Sequence, residues 1–176
     1  MTNFIFNFLK HIAPLIPVFF LLGGCVSYFE KPTATAVIQS KSGSNIQGSL
    51  NFSQSGDIVL VSGYISGLKP NSAQGIHIHE KGDCTASDAM SAGGHYNPES
   101  TQHGRHDLPM HHAGDLPNIV SDANGNVRYL AKLKTISLIG DSSILGRALV
   151  IHRDADDYTS QPSGNSGPRI GCALIR

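Results

Sequence analysis

After Glu80 the chain runs for about 35 residues without apolar periodicity, and that stretch limits what the whole can fold into. A compact domain keeps so long a segment ordered only if something other than a hydrophobic core holds it. This one carries His95, His103, His106, His111, His112 and Asp115. Nine histidines occur among 176 residues, and eight of them lie between His77 and His152. Imidazoles and carboxylates are metal ligands, and binding an ion supplies free energy that takes the place of missing apolar burial.

The chain on either side of this loop alternates between apolar and polar residues. Ala36 and Ile38, then Ile46, Gly48, Leu50 and Phe52, follow period two, the signature of a sheet with one wet face. Ser42-Gly43 and Ser55-Gly56 fall between runs as hairpin turns. Further strands are predicted over 57–66, 75–80, 118–120, 126–133, 147–152 and 169–174, with a turn at Asn124-Gly125. No segment has a helical pattern, and 19 glycines and nine prolines suit a turn-rich chain. The expectation is an all-β domain, an eight-stranded antiparallel Greek-key barrel or sandwich with long loops. Thirteen basic and thirteen acidic side chains cancel, which leaves no argument for nucleic-acid binding.

The first 24 residues read differently. Lys10 is their one formally charged side chain, and Ile12 to Leu22 is an apolar run broken by Pro14 and Pro17. It is shorter than the about 20 residues a membrane span needs and suits the ~7–15-residue core of a secretory leader. Leu22-Gly23-Gly24-Cys25 then resembles the bacterial lipobox, which predicts a leader over 1–24, lipidation of Cys25 and a tether over 25–34 before a domain at 35–176. An ordinary leader cut near Gly24 would instead leave Cys25 as a free thiol. If Cys25 carries lipid, Cys84 and Cys172 remain as an even pair in an oxidising compartment, the periplasm or cell envelope. A disulfide between them would close a long loop, worth ~2–4 kcal/mol. Without export, they would be two buried thiols.

In His77-Ile78-His79 the two imidazoles share one face of a strand while Ile76 and Ile78 point to the other, into the core. Two converging rings make half of a transition-metal site. His112 and Asp115, three apart, can share a turn, and with His95 and His103 they form a three-histidine, one-carboxylate set that suits closed, structural zinc. His152 ends a distant strand and offers a further imidazole. Three or four imidazoles without a thiolate suit Cu(II).

GIHIHE, GGHYNP, HAGDLPN, GRALVIH and GPRIGCALI resemble, in order, the signatures of the copper/zinc superoxide dismutase family. The likeness runs from about Ala36 to the C-terminus, and the steps from His95 to His103, His112 and Asp115 match the family's zinc loop. It implies copper, one per subunit, at His77, His79, His95 and His152, and zinc, one per subunit, at His95, His103, His112 and Asp115. His95 is then the bridge between them. It further implies that Asp156 links a copper ligand to a zinc ligand, that Arg169 stands beside the copper, and that Ser163 takes the place of a threonine at the mouth of the substrate channel. His106 and His111 receive no role. The spacing around Cys84 resembles the exported bacterial branch, and Pro162 stands where other members often carry a lysine that draws in anions.

The activity implied is conversion of two superoxide anions to oxygen and hydrogen peroxide, with Arg169 and His95 as its working residues. A monomer or homodimer is expected, touching a membrane only through its N-terminal lipid. The competing reading is an envelope lipoprotein that buffers copper and zinc without turnover. Such a protein needs neither Arg169 nor a bridging His95.

Overall fold

The computed structural model describes residues 30–176; the leader, Cys25 and most of the tether lie outside the described residues. The strands are β1 Thr33–Ser40, β2 Gln47–Ser55, β3 Ile58–Ser66, β4 Ala73–Gln74, β5 Ile76–His79, β6 Ile119–Val120, β7 Val127–Leu133, β8 Ala148–His152 and β9 Arg169–Leu174. Only Gly75 separates β4 from β5, so the described chain makes eight extended runs, as the alternation predicts. A 3-10 turn at Met90–Ala92 is the one helical element among the described residues. No helix among them is long and apolar enough to cross a membrane.

Seven strands form one antiparallel curled sheet in the order β5-β8-β9-β1-β2-β3-β7, and β4 pairs with β6. The meander β1-β2-β3 is followed by a crossing to the far edge at β5, a return to β3 at β7, and a second crossing to β8: Greek-key connectivity. β1 serves both halves. Thr33 to Ile38 pair with β2, and Gln39 and Ser40 pair with β9.

The sheet curls around Leu50, Phe52, Val59, Val61, Ile65, Ile76, Ile78, Leu116, Leu149 and Ile151, all buried. β7 shows the alternation plainly, with Val127, Tyr129, Ala131 and Leu133 inside and Arg128, Leu130 and Lys132 outside. In β5 and β8 every residue is buried. Their isoleucines face the core, and their other face is covered by the loops that carry the histidines. On that covered side Ala148, Val150 and Cys172 pack with Ala89 and Ala92 in a small second cluster. A disulfide joins Cys84 to Cys172, 88 residues apart, and ties the start of the long loop to β9.

Candidate metal centre

The irregular segment is ordered by adding itself to the open edge of β5. Tyr96 N–H donates to Ile78 O at 2.8 Å, Ile78 N–H donates to Gly114 O at 2.9 Å, and Glu80 N–H donates to Gly94 O at 2.9 Å. Two pieces of loop thus satisfy an edge that would otherwise be open. Gly114 is required there, because a Cβ would run into the carbonyl of Ile78. Further along, Thr101 Oγ1 donates to His111 O at 2.6 Å, and the Asn97 side chain both donates to and accepts from Thr101. This zipping carries His95 onto His77, with ring centroids 4.0 Å apart, and buries His77 and His79 completely.

Two groups of ligand atoms result. One ring nitrogen from each of His77, His79, His95 and His152 lies within 4.8 Å of the others, and a second set with the same spread comprises His95, His103, His112 and Asp115. His95 belongs to both.

The hydrogen bonds behind the first group decide which nitrogen faces inward. His79 Nδ1 donates to Gly93 O at 2.9 Å, and His152 Nδ1 donates to Gly167 O at 3.1 Å. A ring that donates from Nδ1 presents a bare lone pair at Nε2. His77 is reversed: its Nε2 sits 2.7 Å from Asp156 Oδ2, which leaves Nδ1 bare. The inward atoms, His77 Nδ1 and Nε2 of His79, His95 and His152, are buried and have no hydrogen-bond partner. Four orphaned lone pairs turned toward one another are a costly arrangement for a protein alone and the right one for a cation. Burial, reinforced by the neighbouring histidines, lowers His79, takes His95 to about 4 and takes His152 to about 3, so these rings are neutral and ready to ligate at neutral pH. Copper fits this donor set.

The second group gathers on Asp115. Its Oδ1 lies 2.8 Å from His95 Nδ1 and 3.5 Å from His112 Nδ1, while Oδ2 lies 3.0 Å from His103 Nδ1. Backbone N–H groups of Gly104 and His112 also donate to Oδ2. Burial opposes ionisation of Asp115, but hydrogen bonds from His103, His112 and His95 outweigh it and hold the carboxyl far below its usual range. Three Nδ1 atoms and a fixed carboxylate fit zinc without an open position. Burial likewise acts to lower His103, yet Asp115 on one side and Asp156 on the other lift it to about 9.

Asp156 is buried between the groups, Oδ2 on His77 and Oδ1 2.9 Å from His103 Nε2. It is itself held by Asn118, which donates from Nδ2 to Asp156 O and accepts from Asp156 N–H. Sequence reasoning misses Asn118. It also misses Gln161, whose Oε1 accepts from His103 N–H while its Nε2 donates to His103 O, both at 2.9 Å. Each acts across 38 or 58 residues of chain, and no local pattern marks it. Asp157 caps a turn through Ser160 and Thr159, and Asp154 pairs with Arg153 at the surface.

Arg169 is half-buried at the edge of the first group. Its Nη1 donates to Ala89 O at 2.8 Å and its Nη2 to Gly93 O at 2.7 Å. Gly93 O therefore receives both Arg169 and His79. The guanidinium lines a cleft of about 600 Å³ together with His79, His95, His152, Pro162, Ser163 and Met90. His106 and His111 fall in neither ligand group; His111 donates from Nδ1 to His112 O and faces a different cavity.

Comparison with known proteins identifies the family. The family model described as copper/zinc superoxide dismutase (SODC) matches residues 46–175. A superoxide dismutase (Cu-Zn) of Paramecium bursaria Chlorella virus 1 is 43% identical over 136 residues, covering 74% of this chain and 72% of the relative. An extracellular superoxide dismutase (Cu-Zn) of Brugia pahangi is 40% identical over 152 residues, covering 81% and 75%. Among solved structures, the clock protein EA4 superposes with a TM-score of 0.76 at 38% identity, covering 84% of this chain and 96% of that one.

Proposed function

The chain belongs to the copper/zinc superoxide dismutase family, an oxidoreductase with copper and zinc as its metals and superoxide as its substrate, and we propose that His95 is the ligand its two ions share. Copper is assigned to His77 Nδ1 and to Nε2 of His79, His95 and His152. Zinc is assigned to Nδ1 of His95, His103 and His112 with Asp115. The observation that carries this reading is the membership of one ring in both ligand groups, with Nδ1 against Asp115 and Nε2 bare.

Copper, when bound, supplies the one-electron couple that oxidises one superoxide to oxygen and reduces a second, which with two protons leaves as hydrogen peroxide. The chain's own residues do the rest. Arg169, fixed by two carbonyls, holds a positive charge at the wall of the cleft where a small anion docks. Its burial lowers its pKa from the usual arginine value, but an arginine remains charged at any working pH. Pro162 and Ser163 line the same cleft. His95 Nε2, assigned to copper, would hold a proton only while free of the metal, and could then return it to peroxide oxygen. Asp156, through His77 and His103, keeps both ligand groups oriented.

The disulfide, and the likeness to relatives named extracellular, support an exported protein. Residues 35–176 are read as the catalytic domain, carried on a tether whose Cys25 bears a lipid anchor, as a monomer or homodimer. The mass of the mature chain tests the anchor: a diacylated Cys25 as first residue is expected, and an unmodified N-terminus would overturn it.

The shared ligand is tested by native mass spectrometry of chain loaded with both metals. One copper and one zinc are expected, with both bound more weakly in His95→Ala. A variant that loses one ion and keeps the other at full affinity would place the ions in separate pockets.

A further inference from the structure

We propose that Met90 is a docking ligand for incoming Cu(I), receiving the ion at the mouth of the cleft before His79 and His152 take it; this rests on the copper site assigned above. The turn that presents Met90 is held unusually firmly. Ala89 and Gly93, at its two ends, adopt positive φ of 59° and 75°. Arg169 grips the carbonyls of both, and Gly93 O also accepts from His79 Nδ1. Ala89 and Ala92 are fully buried against Ala148, Val150 and Cys172. The backbone of the turn is thus fastened to a copper ligand, to the docking arginine and to the disulfide-bonded strand. Met90 itself is 61% exposed and lines the cleft onto which His79 and His152 also open, so the core does not require its side chain.

The chemistry of loading explains a thioether at that place. Arg169 favours anions in the cleft and repels an arriving cation, so a metal ion needs a ligand at the mouth. A neutral, flexible, polarisable sulfur binds Cu(I) and has little affinity for harder ions. The bare Nε2 atoms of His79 and His152 are the next donors inward. Met110 is a built-in comparison, since it is equally exposed, at 62%, but does not line this cleft.

The test uses zinc-loaded, copper-free protein. Cu(I) is delivered from its bis-bicinchoninate complex, and loss of the complex's absorbance reads transfer. Cu(II) is delivered in parallel from its glycinate complex. Met90→Leu, which conserves volume, is expected to slow Cu(I) transfer about fivefold or more. Its final copper stoichiometry and its Cu(II) rate are expected to match those of the unaltered chain, and Met110→Leu is expected to change neither rate. Equal Cu(I) rates for the Met90→Leu variant and the unaltered chain would overturn this inference alone. Equal slowing of Cu(I) and Cu(II) would also overturn it, because the effect would then be one of shape. If the unaltered chain took up no copper, the site assignment would fall and the inference with it.

Discussion

Asp156 Oδ2 lies 2.7 Å from His77 Nε2, and both side chains are fully buried. The bond fixes which nitrogen of His77 carries a proton, and the other carboxylate oxygen holds the proton on His103 Nε2. One residue outside both ligand groups thus orients a ring in each. Asp156→Asn keeps the shape but removes the charge, and its amide cannot accept from both rings. Affinity for copper and for zinc is expected to fall together, each by about 10–100-fold, as for other partners standing behind ligands. Competition against chelators of known strength measures both.

The strand pattern of this fold was legible in the alternation of residues such as Val127, Tyr129, Ala131 and Leu133, because one face of each strand is buried. β4 was not, since the pairing of Ala73 and Gln74 with β6 depends on where a distant strand lies. The His77-Ile78-His79 pair was legible as one face of a strand, but its complete burial was not, because a loop with no pattern of its own covers it. Asp156 and Arg169 stood out only through resemblance to a family. Asn118, Gln161 and Met90 did not stand out at all, since each matters through a contact that only the folded chain makes.

Arg169 combines a charge with a fixed position. Arg169→Ala is expected to lower turnover by ~10-fold or more, the lower end of what a focused field contributes to association, with copper and zinc content unchanged. Arg169→Lys keeps the charge but cannot bond both Ala89 O and Gly93 O, so it should fall between the two. Activity at low and high salt, alongside metal analysis, checks this. Loss of copper from the alanine variant would mean that the residue acts by holding the site together.

Gly164 has φ of +67°, and a Cβ there would strike Asp156 Oδ1 and His103 Nε2. Gly164→Ala is therefore expected to lower stability by about 1–3 kcal/mol through backbone strain and to weaken zinc more than copper, because the methyl displaces the bond to His103. Denaturant unfolding and zinc release to a chelator measure the two effects.

The Cys84–Cys172 bond closes a loop of 88 residues and holds the segment from which Ala89 and Gly93 reach Arg169. Replacing both cysteines by alanine should cost ~2–4 kcal/mol and also loosen the arginine. Urea unfolding is expected to shift to lower midpoints, and activity per bound copper is expected to fall. Full activity in the double variant would show that the turn is held without the disulfide.

In the metal-free protein His103 is lifted to about 9 by Asp115 and Asp156, against the tendency of burial to lower it. Its ordinary pKa is about 6.5. A folded value above the unfolded one stabilises fully below about 6.5, and that stabilisation is lost as pH rises through about 9. The depressed Asp115 and Asp156 carboxyls contribute above their ordinary value of about 3.9, and their contribution is lost on strong acidification. His79, His95 and His152, lowered by burial, contribute above their ordinary value of about 6.5 and lose that contribution on acidification. Metal-free protein is thus expected to be most stable at pH ~7 and to weaken toward alkaline pH. Bound zinc would take the place of the proton on His103 Nδ1 and remove the alkaline decline. Denaturant midpoints between acid and alkaline pH, with and without metals, should show the slope in the metal-free chain and its absence in the loaded one. A flat profile in the metal-free chain would mean that His103 is not held as a cation between the two carboxylates.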